Sequence, residues 1–232
     1  MRIGDYEITK ELAAHDRTTV YLARTPEARE VVIKALLLPG NDSDASFPEF
    51  RREIRITAAL HHRNIVSFLA SGTIPGLLYC VTEYCNGGSL RELLTRFGRV
   101  LTVAEAVPLI RQVLAGLDYA HNVVLPGVDC GGKPIRGIVH RDIKPENILL
   151  HYNAAGQYTA KIADFGLSKA FGGADHPSRT RTGDIGGSLA FLCRQQIINY
   201  KYVRPEVDVW SAIAVLYFLL TGVPPRSGRP LS

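Results

Sequence analysis

Between Val139 and Leu150 the chain reads VHRDIKPENILL, which gathers His140, Arg141, Asp142, Lys144 and Asn147 into one short loop ahead of an apolar strand. A second acid, Asp164, closes the apolar run Ala160–Ala163 and is followed by Phe165 and Gly166. Far upstream, Lys34 stands among the aliphatic residues of Glu30–Leu37. Acids accept protons and hold hard cations through oxygen, an amide adds a further oxygen, and ammonium groups balance anionic charge. Alone, Asp142 or Asp164 would read as a turn residue or a helix cap. The whole ordered set is not accounted for that way. A lysine in an apolar strand is costly to bury unless it is paired.

The elements that must position these groups follow from periodicity. Tyr6–Leu12 and Thr19–Ala23 alternate as strands do, and Glu30–Leu37 is rich in Val, Ile and Leu. Pro48–Leu60 reads as a helix, and Ile65–Leu69 and Leu77–Tyr84 read as strands. Cys85-Asn86-Gly87-Gly88 interrupts the pattern, and helices are expected at Ser89–Phe97 and Thr102–His121. Ser89 and Thr102 suit N-cap positions, and Glu105 completes a capping box with Thr102. Asn122–Gly137 reads as a loop with a small hairpin, and Ile148–His151 with Thr159–Ile162 as a strand pair across Asn153–Gly156. The expected class is α+β in two lobes: a small antiparallel sheet with one helix over residues 1–85, then a larger, mainly helical lobe over 86–232.

HRDxKxxN at His140–Asn147, followed by Asp164-Phe165-Gly166 at this separation, resembles the protein kinase family, and Lys144 is similar to its serine/threonine branch. The resemblance implies ATP and Mg²⁺ as cofactors. Asp142 would accept the proton of the acceptor hydroxyl, Lys144 would sit by the moving phosphoryl group, and Asn147 and Asp164 would hold the metal. Lys34 would grip the α- and β-phosphates, with Glu53 on the Pro48–Leu60 helix as its partner. Glu83 to Cys85 resemble the hinge that offers backbone groups to adenine, and Thr82 occupies the gatekeeper place. Val20, Val32 and Leu149 would sandwich the base, although core packing alone would also account for them. Asp208 would bond the backbone near His140 and Arg141, a structural role, and His140 would be a core residue. TRTGDIGGS, Thr180–Ser188, resembles the activation segment of bacterial kinases. Self-phosphorylation at Thr180 or Thr182 would then pair with Arg141, and Ser188 would face Asp142 and Lys144.

Two departures stand out. Ala13, His15 and Thr18 occupy the places of the glycines in the family's phosphate-binding loop. Without glycine, a Cβ hinders the approach of backbone N–H groups to phosphate, so weaker nucleotide use is expected. Cys193-Arg194-Gln195 stands where the family has Ala-Pro-Glu, so an anionic charge is missing. The chain also ends at Ser232, soon after the apolar run Val209–Pro225, which implies exposed apolar surface. These departures leave a second reading beside the kinase: a pseudokinase that binds nucleotide or partners with little transfer.

The bulk composition narrows the classes. The chain has 232 residues, 46% hydrophobic and 21% charged, with a net charge of +5 and no Lys/Arg-rich run, so nucleic acid is not the expected partner. The kinase resemblance instead implies a protein partner bearing Ser or Thr. Cys80, Cys85, Cys130 and Cys193 form no CxxC pair, which suits reduced thiols in the cytoplasm. Val209–Pro225 is short for a membrane span and reads as a core helix, so no membrane segment is expected.

Overall fold

The structure, a computed structural model, describes residues 1–15, 18–38, 54–125, 134–165, 189–198 and 204–226. Six strands form one antiparallel sheet: β1 (Arg2–Ile3), β2 (Tyr6–His15), β3 (Thr18–Arg24), β4 (Glu30–Leu37), β5 (Phe68–Ile74) and β6 (Leu77–Glu83), in the order β1-β2-β3-β4-β6-β5. Alternation gives β4 its two roles. Val31, Ile33 and Ala35 pack into the small core with Ile3, Ala23 and Val81, while Val32 and Lys34 face the opposite side. Residues 54–59 are helical and fall within the helix expected at Pro48–Leu60.

The strand expected at Ile65–Leu69 lies elsewhere. Pairing with β6 runs from Phe68↔Thr82 to Ile74↔Leu77, so the strand covers Phe68–Ile74. Ile65 instead bridges Ile162 in parallel, Val66 N donates to Ile162 O at 2.9 Å, and Ile162 N donates to Asn64 O at 2.9 Å. The reason is local. Gly72 sits under the Tyr79 ring, where a Cβ would collide with the hydroxyl, and the neighbouring Ala70, Ser71 and Thr73 leave the strand without an apolar alternation.

Past the sheet come α2 (Leu90–Phe97), α3 (Val103–Asn122), the hairpin β7 (Val124–Leu125) with β8 (Ile135–Arg136), the pair β9 (Ile148–Tyr152) with β10 (Tyr158–Ile162), α4 (Arg194–Ile198) and α5 (Glu206–Thr221). Helices α2 and α3 open with full capping boxes. Ser89 pairs with Glu92 and Thr102 with Glu105, each side chain satisfying the other's backbone N–H. The large core joins Leu117 of α3, Ile148 and Ile162 of the strand pair, Phe165, and Val215 and Phe218 of α5. Helix α5 is apolar all round, but the described residues cover only one side. Among the described residues Val209, Ile213 and Tyr217 are exposed. Among the described residues no helix is long and apolar enough to cross a membrane.

Candidate active site

A cleft of about 400 Å³ opens between the sheet and the strand pair, within the range of small-molecule sites. Val20 of β3, Val32 of β4 and Leu149 of β9 line it, with Thr82, Glu83 and Cys85 along one wall and Lys34, Asn147 and Asp164 among its polar groups. Cys80 and Cys85 also face it. Burial pushes both thiols up to about 12, so they stay protonated and act as apolar wall.

Lys34 Nζ lies 3.2 Å from Asp164 Oδ1, although the residues are far apart in the chain. Burial works to raise the Asp164 carboxyl, but the Lys34 ammonium, with His140 and Lys144 behind it, outweighs that and holds it below the usual carboxylate value. Asp164 has a left-handed backbone, φ +62°, which non-glycine residues hold only under constraint. The constraint is visible on both sides. Ala163 N donates to Asn147 O at 2.9 Å, and Thr57 Oγ1 donates to Phe165 O at 2.8 Å from the helical segment 54–59.

The second half of the site hangs on the loop before β9. Asp142 Oδ2 accepts from Lys144 Nζ at 2.9 Å and from Asn147 Nδ2 at 3.0 Å, and that same Nδ2 donates to Asp142 O at 2.8 Å. Asp142 and Lys144 do not line the cleft themselves and connect to it through Asn147. Asp208, buried in the first turn of α5, accepts from His140 N at 2.7 Å and Arg141 N at 2.8 Å, as expected of it. His140 is buried edge-on against Phe165, 4.6 Å between ring centres. Among the described residues no three His, Cys, Asp or Glu side chains converge. A metal here would rest on one carboxylate and one amide, and substrate phosphates would have to complete its shell, which is the habit of Mg²⁺.

A model described as the protein kinase domain matches residues 6–230. The chain belongs to the protein kinase family. Serine/threonine-protein kinase PknJ of Mycobacterium tuberculosis (strain ATCC 25618 / H37Rv) is 32% identical over 221 residues, which is 95% of this chain and 34% of that protein. PknJ of Mycobacterium bovis (strain ATCC BAA-935 / AF2122/97) matches to the same extent, 32% over 221 residues. The chain thus spans about a third of the length of the relatives it matches.

The remaining expectations divide. Glu53, Gly166, Thr180, Thr182 and Ser188 lie outside the described residues. In the place of the glycine loop, strand pairing continues through Ala13↔Val20 and His15↔Thr18. Glu83, at the end of β6, is held from two sides. Its amide donates to Ser67 O, and its carboxylate accepts from Ser67 N at 2.6 Å and from Lys161 Nζ at 2.8 Å. Burial opposes ionisation there, but Lys161 and Ser67 outweigh it, so the carboxyl titrates below its ordinary value. Lys161 was detectable by the same reasoning as Lys34, a lysine alone in an apolar strand.

This clamp yields a prediction. Glu83 has a depressed folded pKa, so its stabilisation is present above its unfolded value and is lost as pH falls through the folded one. In Lys161→Met the carboxylate is left buried without its cation. Stability at pH 7 should fall by about 3 kcal/mol in urea titrations. The deficit should shrink as pH drops below about 5, where the orphaned acid takes up a proton.

Proposed function

We propose that the chain is the catalytic domain of a cytoplasmic protein serine/threonine kinase, with a nucleotide-binding lobe over residues 1–85 and a catalytic lobe over residues 86–232. Supporting this reading is one juxtaposition: Lys34 meets Asp164 at 3.2 Å across the cleft, while Asp142, Lys144 and Asn147 form one bonded cluster beside it. ATP takes the cleft, with its base between Val20, Val32 and Leu149, the hinge at Glu83 to Cys85 beside it, and Thr82 at the back. Because the Glu83 amide is already bonded to Ser67, adenine recognition falls to the Glu83 carbonyl and the Cys85 backbone. Lys34, supported by Glu53, holds the inner phosphates.

The acceptor hydroxyl oxygen attacks the γ-phosphorus, the bond to the ADP oxygen breaks, and the hydroxyl proton passes to the Asp142 carboxylate. Lys144, already on that carboxylate at 2.9 Å, is placed to balance charge on the phosphoryl group in flight. Asn147 and Asp164 would hold Mg²⁺, which would supply positive charge to offset that of the phosphates. Ala13, His15 and Thr18 each carry a Cβ along this stretch, which supports weaker phosphate contacts on the sheet side, so ATP affinity should be modest.

The test is transfer of labelled γ-phosphoryl from ATP to a basic protein rich in Ser and Thr. Phosphoserine or phosphothreonine should form, and removing Mg²⁺ with a chelator should stop it. Nucleotide binding without any transfer would replace this reading by the pseudokinase. Control through the activation segment is tested separately. Thr180→Ala with Thr182→Ala should lower kcat by about tenfold, through loss of a phosphate that pairs with Arg141. Unchanged kcat, with no phosphate at either threonine by mass spectrometry, removes that control.

A further inference from the structure

The Arg141–Asp142 peptide carries the proposed base, and its backbone is strained: Arg141 has φ +69°, a left-handed value for a bulky side chain. Such a peptide keeps its plane only when neighbours fix it. Its amide end is fixed, because Asp142 N donates to His140 Nδ1 at 3.2 Å. With Nδ1 accepting, His140 Nε2 carries the hydrogen and donates to Ala163 O at 2.8 Å. The carbonyl end is held by a residue to which nothing in the motifs points. Gln196 Nε2 donates to Arg141 O from the middle of α4.

Gln196 is well placed to act as a fixed strut. It is 2% exposed. Its own amide donates to Cys193 Sγ at 3.4 Å, which anchors the first turn of α4. The segment leading into α4 is fastened to α5, since Ser211 Oγ donates to Phe191 O at 2.8 Å and Phe191 meets Phe218 edge-on at 5.7 Å. Helix α5 therefore grips Arg141 twice, directly through Asp208 on the Arg141 amide and indirectly through Gln196 on its carbonyl. Gln196 Oε1 is buried and meets no donor among the described residues. A buried amide with an orphan acceptor is poor for stability. Its remaining contribution is the bond it gives.

We infer that Gln196 is a positioning residue for phosphoryl transfer, holding the Arg141–Asp142 peptide plane so that the Asp142 carboxylate stays aimed at the acceptor hydroxyl. This rests on the kinase reading above and adds to it a residue next to the altered Cys193-Arg194-Gln195 stretch.

Gln196→Met separates aiming from folding, because it keeps the volume while removing both the donor and the orphan acceptor. The melting temperature should hold or rise, affinity for an ATP analogue should stay within about twofold, and kcat should fall about tenfold, since small misplacements at a reacting centre are costly. Gln196→Glu supplies a second readout. As a carboxylate it cannot donate to Arg141 O, but as a carboxylic acid it can. Its kcat relative to wild type should climb about fivefold between pH 8 and pH 6 as the buried acid gains its proton. Wild type assayed at each pH carries the same His140, Arg141, Asp142, Lys144 and Asp208 around that carbonyl, so the ratio is read against a common background. A Gln196→Met kcat within about twofold of wild type, or a flat Gln196→Glu ratio, overturns the inference. Asp142→Asn run alongside tells the two failures apart. If it keeps full kcat the kinase reading fails, and if it loses kcat while Gln196→Met does not, only the strut falls.

Discussion

Replacing Asp142 by Asn should cut kcat by about 10³-fold while leaving nucleotide affinity within about threefold. The substitution is nearly isosteric, so the loop keeps most of its architecture. An asparagine oxygen at this position still accepts from Asn147 Nδ2, now 3.0 Å from the carboxylate, and the Asp208 bonds to His140 N and Arg141 N are untouched. What is lost is the ability to take a proton and the charge that holds Lys144 Nζ at 2.9 Å. Asp142 does not line the cleft, so nucleotide binding should register little of this. Asp164→Ala should behave differently. It removes the carboxylate that Lys34 meets at 3.2 Å and the acid proposed to hold the metal, so both kcat and ATP affinity should fall. Single-turnover kinetics with a fluorescent ATP analogue separate the two patterns. An Asp142→Asn protein that turns over at the wild-type rate would remove Asp142 from the chemistry.

What was legible in the sequence was what chemistry constrains tightly. Lys34 could be picked out because a charged group in apolar surroundings needs a partner, and the structure brings it to 3.2 Å from Asp164. Asp142, Asn147, Asp164 and Asp208 were legible through the resemblance of their surrounding motifs to the protein kinase family, since each alone would read as a turn or cap residue. Strand β5 was not, because Gly72 answers to the Tyr79 ring on the neighbouring strand, and a one-dimensional pattern contains no such ring. Lys161 carried the same signal as Lys34, but its acid, Glu83, lies in the hinge, where backbone contacts to a base were the only role considered. Gln196 carried no signal at all. A neutral amide on a short helix is unremarkable until the fold presents a strained carbonyl to it. Ion pairs within apolar stretches can thus be anticipated from residue type, whereas the hydrogen bonds that fix a strained peptide depend on geometry.

That distinction sets the second large effect. Asp208 is 1% exposed and accepts three hydrogen bonds: from Arg141 N at 2.8 Å on Oδ1, and from His140 N at 2.7 Å and His121 Nε2 at 2.8 Å on Oδ2. Its position in the first turn of α5 adds the helix dipole, and α5 has no side-chain N-cap of its own. Asp208→Ala strips the acceptor from two main-chain amides that hold the catalytic loop and leaves the mostly buried His121 ring without its anion. Breaking such a buried charge arrangement costs about 3–5 kcal/mol, a large share of a typical domain's stability. Asp208→Asn should cost about 2–3 kcal/mol, since one oxygen still accepts but the new NH₂ faces donors. The local consequence should be sharper still. Arg141 at φ +69° is kept in place by the Asp208 carboxylate on one side and Gln196 on the other, and releasing one side lets the peptide relax toward an ordinary backbone. Even at temperatures where Asp208→Asn remains folded, its kcat should fall by about 10²-fold with nucleotide affinity nearly unchanged. Hydrogen exchange at His140 and Arg141 should accelerate before that of Ile148 or Ile162. If exchange rises uniformly across the large core and kcat falls only in step with the folded fraction, then Asp208 stabilises the domain without orienting its catalytic loop.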